Sequence, residues 1–500
     1  MDHPYRSIGS LEDLPFDTLF QIFLYLQPRD VLSLRYCSKK LAEATAERTV
    51  WLSALRYFCF VHRICLATFP QEKLSTHRIE HIVTAPSRFV NTLLRGLPSD
   101  TIHPQATRII SHELTDVGFA TLATGGRYLV TVSRSTPSII GIWDLGFDVE
   151  SILPREPMVT RVMNGAVYNV LTQPTPDGLG LLILTSTEVN STFTPGFKQA
   201  LLEIFEIYPH SSADLHLLSS WRLAGNHSPR FGRIHFSDQT VAVVTNLNHD
   251  ASSCCILVWN YIENTAIRWF VTVNPYSPSP LLRQGDQLVV HDGYIAWMSN
   301  HSTTLWKIPS LHPRIPGSEV HVEQDVPSLQ VGHSGQVIQY GHLPPRGSST
   351  MRFDSIPIEQ LPQKGFDHYQ MLPSVSATGS LESNLRTETI TCGFHSDRLF
   401  CGLGCSGAWV SEREMVVFAG DNAGYNVNVA AIRLSERSED RFQEDKPGFF
   451  AASYLPAIPR PEGSLPNPII SGQINFAYCV VSGRVVFFEG RELRVVDYMD

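Results

Sequence analysis

Three clusters in this chain have the residue types and spacing of reactive sites. His77-Arg78-Ile79-Glu80-His81 follows the His-x-x-Glu-His order of a zinc-protease motif. On a helix its two imidazoles would share one face, with the glutamate placed as general base. No third ligand lies in register and no catalytic body surrounds it, so the run reads as a chance match in a helical stretch. Gly402-Leu403-Gly404-Cys405-Ser406-Gly407 has the form of a dinucleotide-binding loop. That chemistry needs a helix N-terminus behind the glycines to hold pyrophosphate. Met415 to Phe418 follow instead and read as a strand, so the glycines are expected to form a turn. Cys401 and Cys405 have no histidine or second cysteine pair in register, and read as small residues near that turn. The chain has 19 histidines and nine cysteines, but no metal spacing joins the two types. No Gly-x-Ser-x-Gly elbow or phosphate-binding loop occurs either. The expectation is a protein that is not an enzyme, with no catalytic residue, cofactor or metal.

Composition narrows the class of partner. Only 17% of the 500 residues are charged and the net charge is −9, with no basic stripe, so nucleic acid is not expected. The cysteines are odd in number and scattered without a Cys-x-x-Cys pair, which fits a reducing compartment. No basic-then-apolar leader opens the sequence and no stretch is long enough to span a bilayer. Cytoplasm or nucleus is the expected location, with no membrane partner.

The elements that could position a binding surface begin at the N-terminus. Pro15, Pro28 and Ser38 mark the starts of three short helices. In the first, Leu19, Ile22, Phe23 and Leu26 form one apolar stripe at i, i+3, i+4, i+7. Phe16, Phe20 and Leu24 form a second stripe beside it. A helix apolar on two sides needs cover on two sides, and a module of roughly 45 residues has too little core to supply both. The missing cover is expected to be a partner protein. Helix is expected to continue from a cap at Thr49, through Trp51, Leu55, Phe58 and Cys59, to about Thr68. One or two more helices follow over 71–96, interrupted at Pro86. This segment reads as a stiff connector, ending near Leu97-Pro98.

Residues 13–55 resemble the F-box, the helical module that docks on the Skp adaptor of cullin–RING ubiquitin ligases. The resemblance is carried by Leu14-Pro15, then Leu19, Ile22, Phe23 and Leu26, then Pro28 and Asp30-Val31-Leu32. Cys37-Ser38-Lys39-Lys40-Leu41 and Trp51 complete it. Asp17 stands where glutamate is usual, and Leu41 near a position often filled by tryptophan; neither removes an apolar contact. The resemblance implies that Leu14, Pro15, Leu19, Ile22, Phe23, Leu26, Asp30, Val31, Leu32, Cys37, Leu41 and Trp51 bind the adaptor.

From about residue 108 the periodicity changes to short β-rich runs between Gly, Pro, Asn and Ser clusters. Six clear pairs recur at spacings of roughly 50–60 residues. They begin at Tyr128, Leu181, Val241, Tyr294, Met415 and Val485, and their second runs begin at Ile139, Ala200, Ile256, Thr304, Val427 and Leu493. A degenerate seventh pair, Gln336 to Tyr340 and Met351 to Ile356, fits the wider gap. Repeats of this size indicate a β-propeller. Ile142-Trp143-Asp144, Val258-Trp259-Asn260 and Leu305-Trp306-Lys307 resemble the hallmark strand of tryptophan–aspartate repeats. The expected architecture is a small all-α F-box (8–56) and helical linker (57–105), then a large all-β domain (106–500). That domain is expected to be an irregular β-propeller of six to eight blades, with seven the best fit; a two-sheet sandwich array is the alternative. Stretches 309–330, 357–389 and 435–468 do not fit the repeat and read as long disordered loops.

Two functions fit these features. In the first the chain is a substrate receptor of a Skp–cullin–F-box ubiquitin ligase, its β domain holding an unknown target protein. In the second it is a Skp-bound scaffold acting outside any ligase.

Overall fold

The structure, a computed structural model, describes residues 10–95, 103–111, 117–190, 198–223, 230–246, 253–272, 287–291, 293–298, 302–314, the strand segments between 322 and 455, 476–489 and 492–499. A 3-10 turn at Leu11–Asp13 leads into α1 (Phe16–Phe23), α2 (Pro28–Arg35) and α3 (Lys39–Ala46). Pro15 is extended and immediately precedes α1, Pro28 opens α2, and the Ser38 hydroxyl accepts from the Leu41 amide at 3.2 Å to cap α3. Helix α4 (Arg48–Val61) begins after Glu47 rather than at a Thr49 cap. It stops well short of Thr68 because Arg63 turns left-handed, with φ of 54°. A single helix, α5 (Thr76–Arg95), then runs through Pro86. Pro86 has no N–H to donate. One turn earlier, the His81 carbonyl accepts from the Arg88 guanidinium at 3.0 Å. The buried face of Ile79, Val83, Phe89, Val90 and Leu93 holds both halves of α5 in line.

Among the described residues the β region forms seven mainly antiparallel blades. Blade one is Val117–Leu122, Tyr128–Ser133, Ile139–Asp144 and Val159–Val162, and blade two is Ala166–Pro174, Leu181–Asn190, Lys198–Tyr208 and Ser212–Leu223. Blade three is Arg230–Ser237, Thr240–Asn246, Ser253–Asn260 and Thr265–Thr272, with two short strands added at its edge. Blade four runs from Gln287–His291 to Ser328–Gly332 and blade five from Gln336–Val337 to Leu381–Thr391. Blade six, Cys405–Trp409 to Phe450–Leu455, takes Gln339–Tyr340 as a fifth, parallel strand. The first strands of blades seven, one, two, three and four touch in turn along the inner side of the ring. Each of the six clear sequence pairs falls on the second and third strands of one blade.

Blade five corrects the reading of 357–389 as loop. Gly365–Val375 and Leu381–Thr391 pair along 11 residues each. Threonines and tyrosine supply β-propensity there without the apolar runs that mark other strands. Met351–Ile356 is a second strand in this blade, so its middle pair lies one strand later than the sequence pattern places it. In 435–468, Phe450–Leu455 is the outer strand of blade six; the rest of that stretch lies outside the described residues.

Blade seven closes the ring. Its own strands are Phe476–Cys479, Arg484–Glu489 and Glu492–Asp497, and the fourth is Ala106–Ser111 from the start of the β region. At this seam Asp497 lies between two guanidiniums. It accepts from Arg484 Nε at 2.5 Å and from Arg108 Nη2 at 2.7 Å. Both arginines reach on into blade one: Arg484 to the Gly126 and Gly146 carbonyls, Arg108 to those of Leu145 and Ser151. Blade one repeats the device where its Trp-Asp stands. Trp143 is fully buried and donates to the Thr131 hydroxyl, while Asp144 takes two bonds from Arg127. Gly126 and Gly483, each just before the arginine of its pair, have φ of 74° and 62°, the left-handed turn a glycine adopts without strain.

The helices are not a free-standing connector. They lie across the ends of the blades that carry the turns between first and second strands. Arg127 donates to the Ala67 and Thr68 carbonyls, the Leu66 amide donates to Gly178, and Arg63 bonds Ser237 and Asp238. Arg29 of α2 pairs with the buried Glu414 of blade six at 3.3 Å. One apolar core runs from Leu19, Phe23 and Trp51 through Ile64 and Val83 to Leu129, Trp143 and Val486. A second joins Phe89, Val90 and Leu93 of α5 to Val416, Val429 and Val485. The helical module and the propeller share their interior.

Beneath this base His235 is buried on the inner strand of blade three. Burial first, then the nearby Arg63 charge, pushes its imidazole down to about 3, with Asp238 pulling the other way and His291 adding to the fall. An unfolded histidine titrates near 6.5, so below that pH the unfolded chain takes up a proton that the folded chain refuses. Stability should therefore be full above about pH 6.5 and fall toward pH 3, by about 2 kcal/mol at pH 5 from this group. Urea unfolding at pH 7.5 and pH 5 should show a smaller loss in His235→Gln than in the parent.

Candidate functional site

The F-box-like stretch divides its apolar residues between two tasks. Of the twelve expected contact residues, Leu19, Phe23, Val31, Leu41 and Trp51 are buried. Each packs inside the chain's own core rather than on the open surface of these helices, where the sequence reading placed it. Trp51 illustrates why. Its indole donates to the Thr45 carbonyl at 2.8 Å, and Arg35 lies over its ring. Arg35 in turn forks onto Glu80 of α5, at 3.2 and 2.9 Å.

The other seven stand at the surface. Pro15, Asp30 and Cys37 are exposed, and Leu14, Ile22, Leu26 and Leu32 are half-buried. The second stripe of α1 is more open than the first: Phe16 is 40% exposed and Leu24 38%. Phe16 and Phe20 stack with ring centroids 6.2 Å apart. Leu11, Tyr25 and Tyr36 add to the exposed apolar surface of these helices. Tyr25 and Tyr36 lie just beyond the ends of α1 and α2, outside any apolar periodicity, and only an aromatic residue in a polar inter-helix stretch marks them in the sequence. The result is an open apolar surface on helices whose inner residues are anchored to the propeller, an arrangement that fits a protein partner.

The reactive-looking clusters resolve as structure. His77 and His81 stack on α5 at 6.1 Å, but Glu80 is engaged by Arg35. Among the described residues no group of three or more His, Cys, Asp or Glu is placed to hold a metal. The glycine-rich run lies partly outside the described residues, as does Cys401. From Cys405 onward it is strand, hairpinned to Glu414–Gly420, with no helix behind it. No helix among the described residues is long and apolar enough to cross a membrane.

Residues 11–56 match the F-box-like family model. This F-box-like domain spans about a tenth of the chain, from the 3-10 turn before α1 into the middle of α4. No curated protein matches the chain. Solved structures similar to it include the WD40 repeats of RRP9, at 12% identity over 80% of this chain and 99% of that one, with a TM-score of 0.37. The WD40 domain of SCAP from fission yeast is 11% identical over 78% and 98%, with a TM-score of 0.33. The β-propeller domain of Myceliophteria thermophila Cps50 (Swd1) is 8% identical over 79% and 99%, with a TM-score of 0.35. The fold itself rests on strand order and ring closure.

Proposed function

We propose that this chain is the substrate-receptor subunit of a Skp–cullin–F-box ubiquitin ligase. The observation that carries the proposal is the open apolar surface of the F-box-like domain, from Leu14 and Pro15 to Phe16 and Leu24, on helices fixed to the propeller. The adaptor covers that surface. The target protein binds the propeller face left open, opposite the helical base. The chain performs no bond chemistry; it raises the local concentration of a target lysine beside the charged ubiquitin-conjugating enzyme. It works in the cytoplasm or nucleus and needs no cofactor.

The test is capture of the Skp adaptor by the full chain. Burying apolar side chains at an interface core supplies much of its energy, and truncating an anchor costs about 2 kcal/mol or more. Leu14→Ala with Pro15→Ala should abolish adaptor capture while circular dichroism and melting temperature stay near the parent values. Normal capture by a folded double variant would remove the proposal at its base. Adaptor captured without any cullin would instead favour the scaffold reading.

A further inference from the structure

A small open cleft lies where α4 and α5 meet blades one and seven. Phe58, Phe69, Ile82 and Phe147 give it apolar walls, and Arg78 and Asp148 face it beside the ring-closing Arg484 and Asp497. The other arginines that tie the helices to the propeller are all used. Arg29 and Arg63 hold carboxylates in blades six and three, and Arg127 holds Asp144 and two carbonyls. Arg78 differs. Its backbone amide bonds the Ser75 hydroxyl, but among the described residues its guanidinium makes no hydrogen bond or ion pair. Asp148 forms no ion pair with it and accepts from the Ser151 hydroxyl instead. Arg78 and Arg484 face Asp148 and Asp497 around the cleft, and of the two guanidiniums Arg484 already holds Asp497.

We propose that this cleft binds a carboxylate on a short apolar stem, with Arg78 as its cation. A guanidinium presents paired donors that match a carboxylate in bidentate geometry. The phenyl rings exclude water around that pair and take up the stem. The ligand is a free carboxylic acid or the C-terminus of a peptide ending in an apolar residue; both present the same group. Seated there, it touches the helical base and both blades of the ring seam together, so it should raise the stability of the whole chain.

The experiment is calorimetry and thermal unfolding of the full chain with benzoate, and with acetyl-Ala-Leu bearing a free or an amidated C-terminus. Saturable binding of benzoate or of the free-acid peptide, with a raised melting temperature, is the expected result; which of the two binds identifies the source. The amide should not bind. Arg78→Gln should weaken binding about tenfold or more yet leave the unliganded melting temperature unchanged, because its guanidinium has no partner to lose. Asp148→Asn should bind more tightly, since a competing negative charge is gone. No saturable binding of either acid, equal binding by Arg78→Gln, or equal binding of the amide would each overturn the proposal.

Discussion

Asp497→Ala is expected to cost about 3–5 kcal/mol of stability, the largest effect of any single substitution in the ring. The reason is the charge left behind. Asp497 and Arg484 are each about 3% exposed at their side chains, and Arg108 is 13% exposed. Removing one partner from a buried ionic cluster strands the others without water or a counter-charge, and costs of this size follow. A typical domain has only about 5–15 kcal/mol in total. Burial already pulls the Arg108 guanidinium downward, with Asp497 the main group raising it again, so the loss falls on a group that depends on this carboxylate. Both arginines also tie the last blade to the first, so the substitution weakens the closure in which Ala106–Ser111 covers the edge of Glu492–Asp497. Asp144→Ala removes a similar partner from Arg127 in blade one, but that carboxylate is 33% exposed. Water can replace it, and the cost should be no more than about half as large. Urea denaturation of the two variants side by side would show the difference. Equal losses, or a loss under about 1 kcal/mol for Asp497→Ala, would mean that the seam is held by strand pairing alone.

Much of the propeller was legible because its second and third strands are buried on both faces and read as continuous apolar runs. Tyr128–Ser133 is buried along its whole length, and its counterpart could hardly be missed. The inner and outer strands were less legible. Val159–Val162 alternates between half-buried and exposed and carries only four residues. Blade five was read partly as loop because its long hairpin draws on threonine, serine and glutamate. Closure by Ala106–Ser111 has no local signature either. It joins residues nearly 400 positions apart, through register and an Arg108–Asp497 pair that no spacing rule connects.

The docking surface was legible as a set of residues but not as a geometry. Apolar stripes on two sides of α1 call for cover on two sides, and the chain itself supplies one of them. Periodicity cannot say which stripe faces the chain itself, because Leu19 and Phe16 are equally apolar. The structure puts Leu19 inside and leaves Phe16 open. The seating of the helices on the propeller was hidden for a different reason. Several of its polar contacts end on backbone carbonyls, at Ala67, Thr68 and Gly178, and a carbonyl is common to every residue. A sequence therefore shows the arginines but not where they bond.

That hidden interface sets the second large expectation. Read from sequence, residues 57–105 are a stiff linker leading to a separate β domain. The shared core says otherwise. Ile64, Phe69 and Val83 pack in one cluster with Leu122, Leu129, Trp143 and Val486, and α5 seals blades six and seven with Phe89 and Leu93. Each such side chain contributes about 1.5–3 kcal/mol by its burial, so stripping the helices removes more than a domain's whole net stability. A fragment beginning at residue 103 should be insoluble or bind hydrophobic dyes. The sharper measurement keeps the native protein. A specific protease site placed within 96–102 allows the finished chain to be cut after folding. If the helices are a base, the two pieces should stay together through size-exclusion chromatography and separate only in denaturant. If they are a spacer, cutting should release an intact propeller that elutes alone. The outcome also bears on the ligase proposal. A base seated on the propeller holds its target at a fixed distance from the adaptor, whereas a spacer would make that distance depend on linker reach.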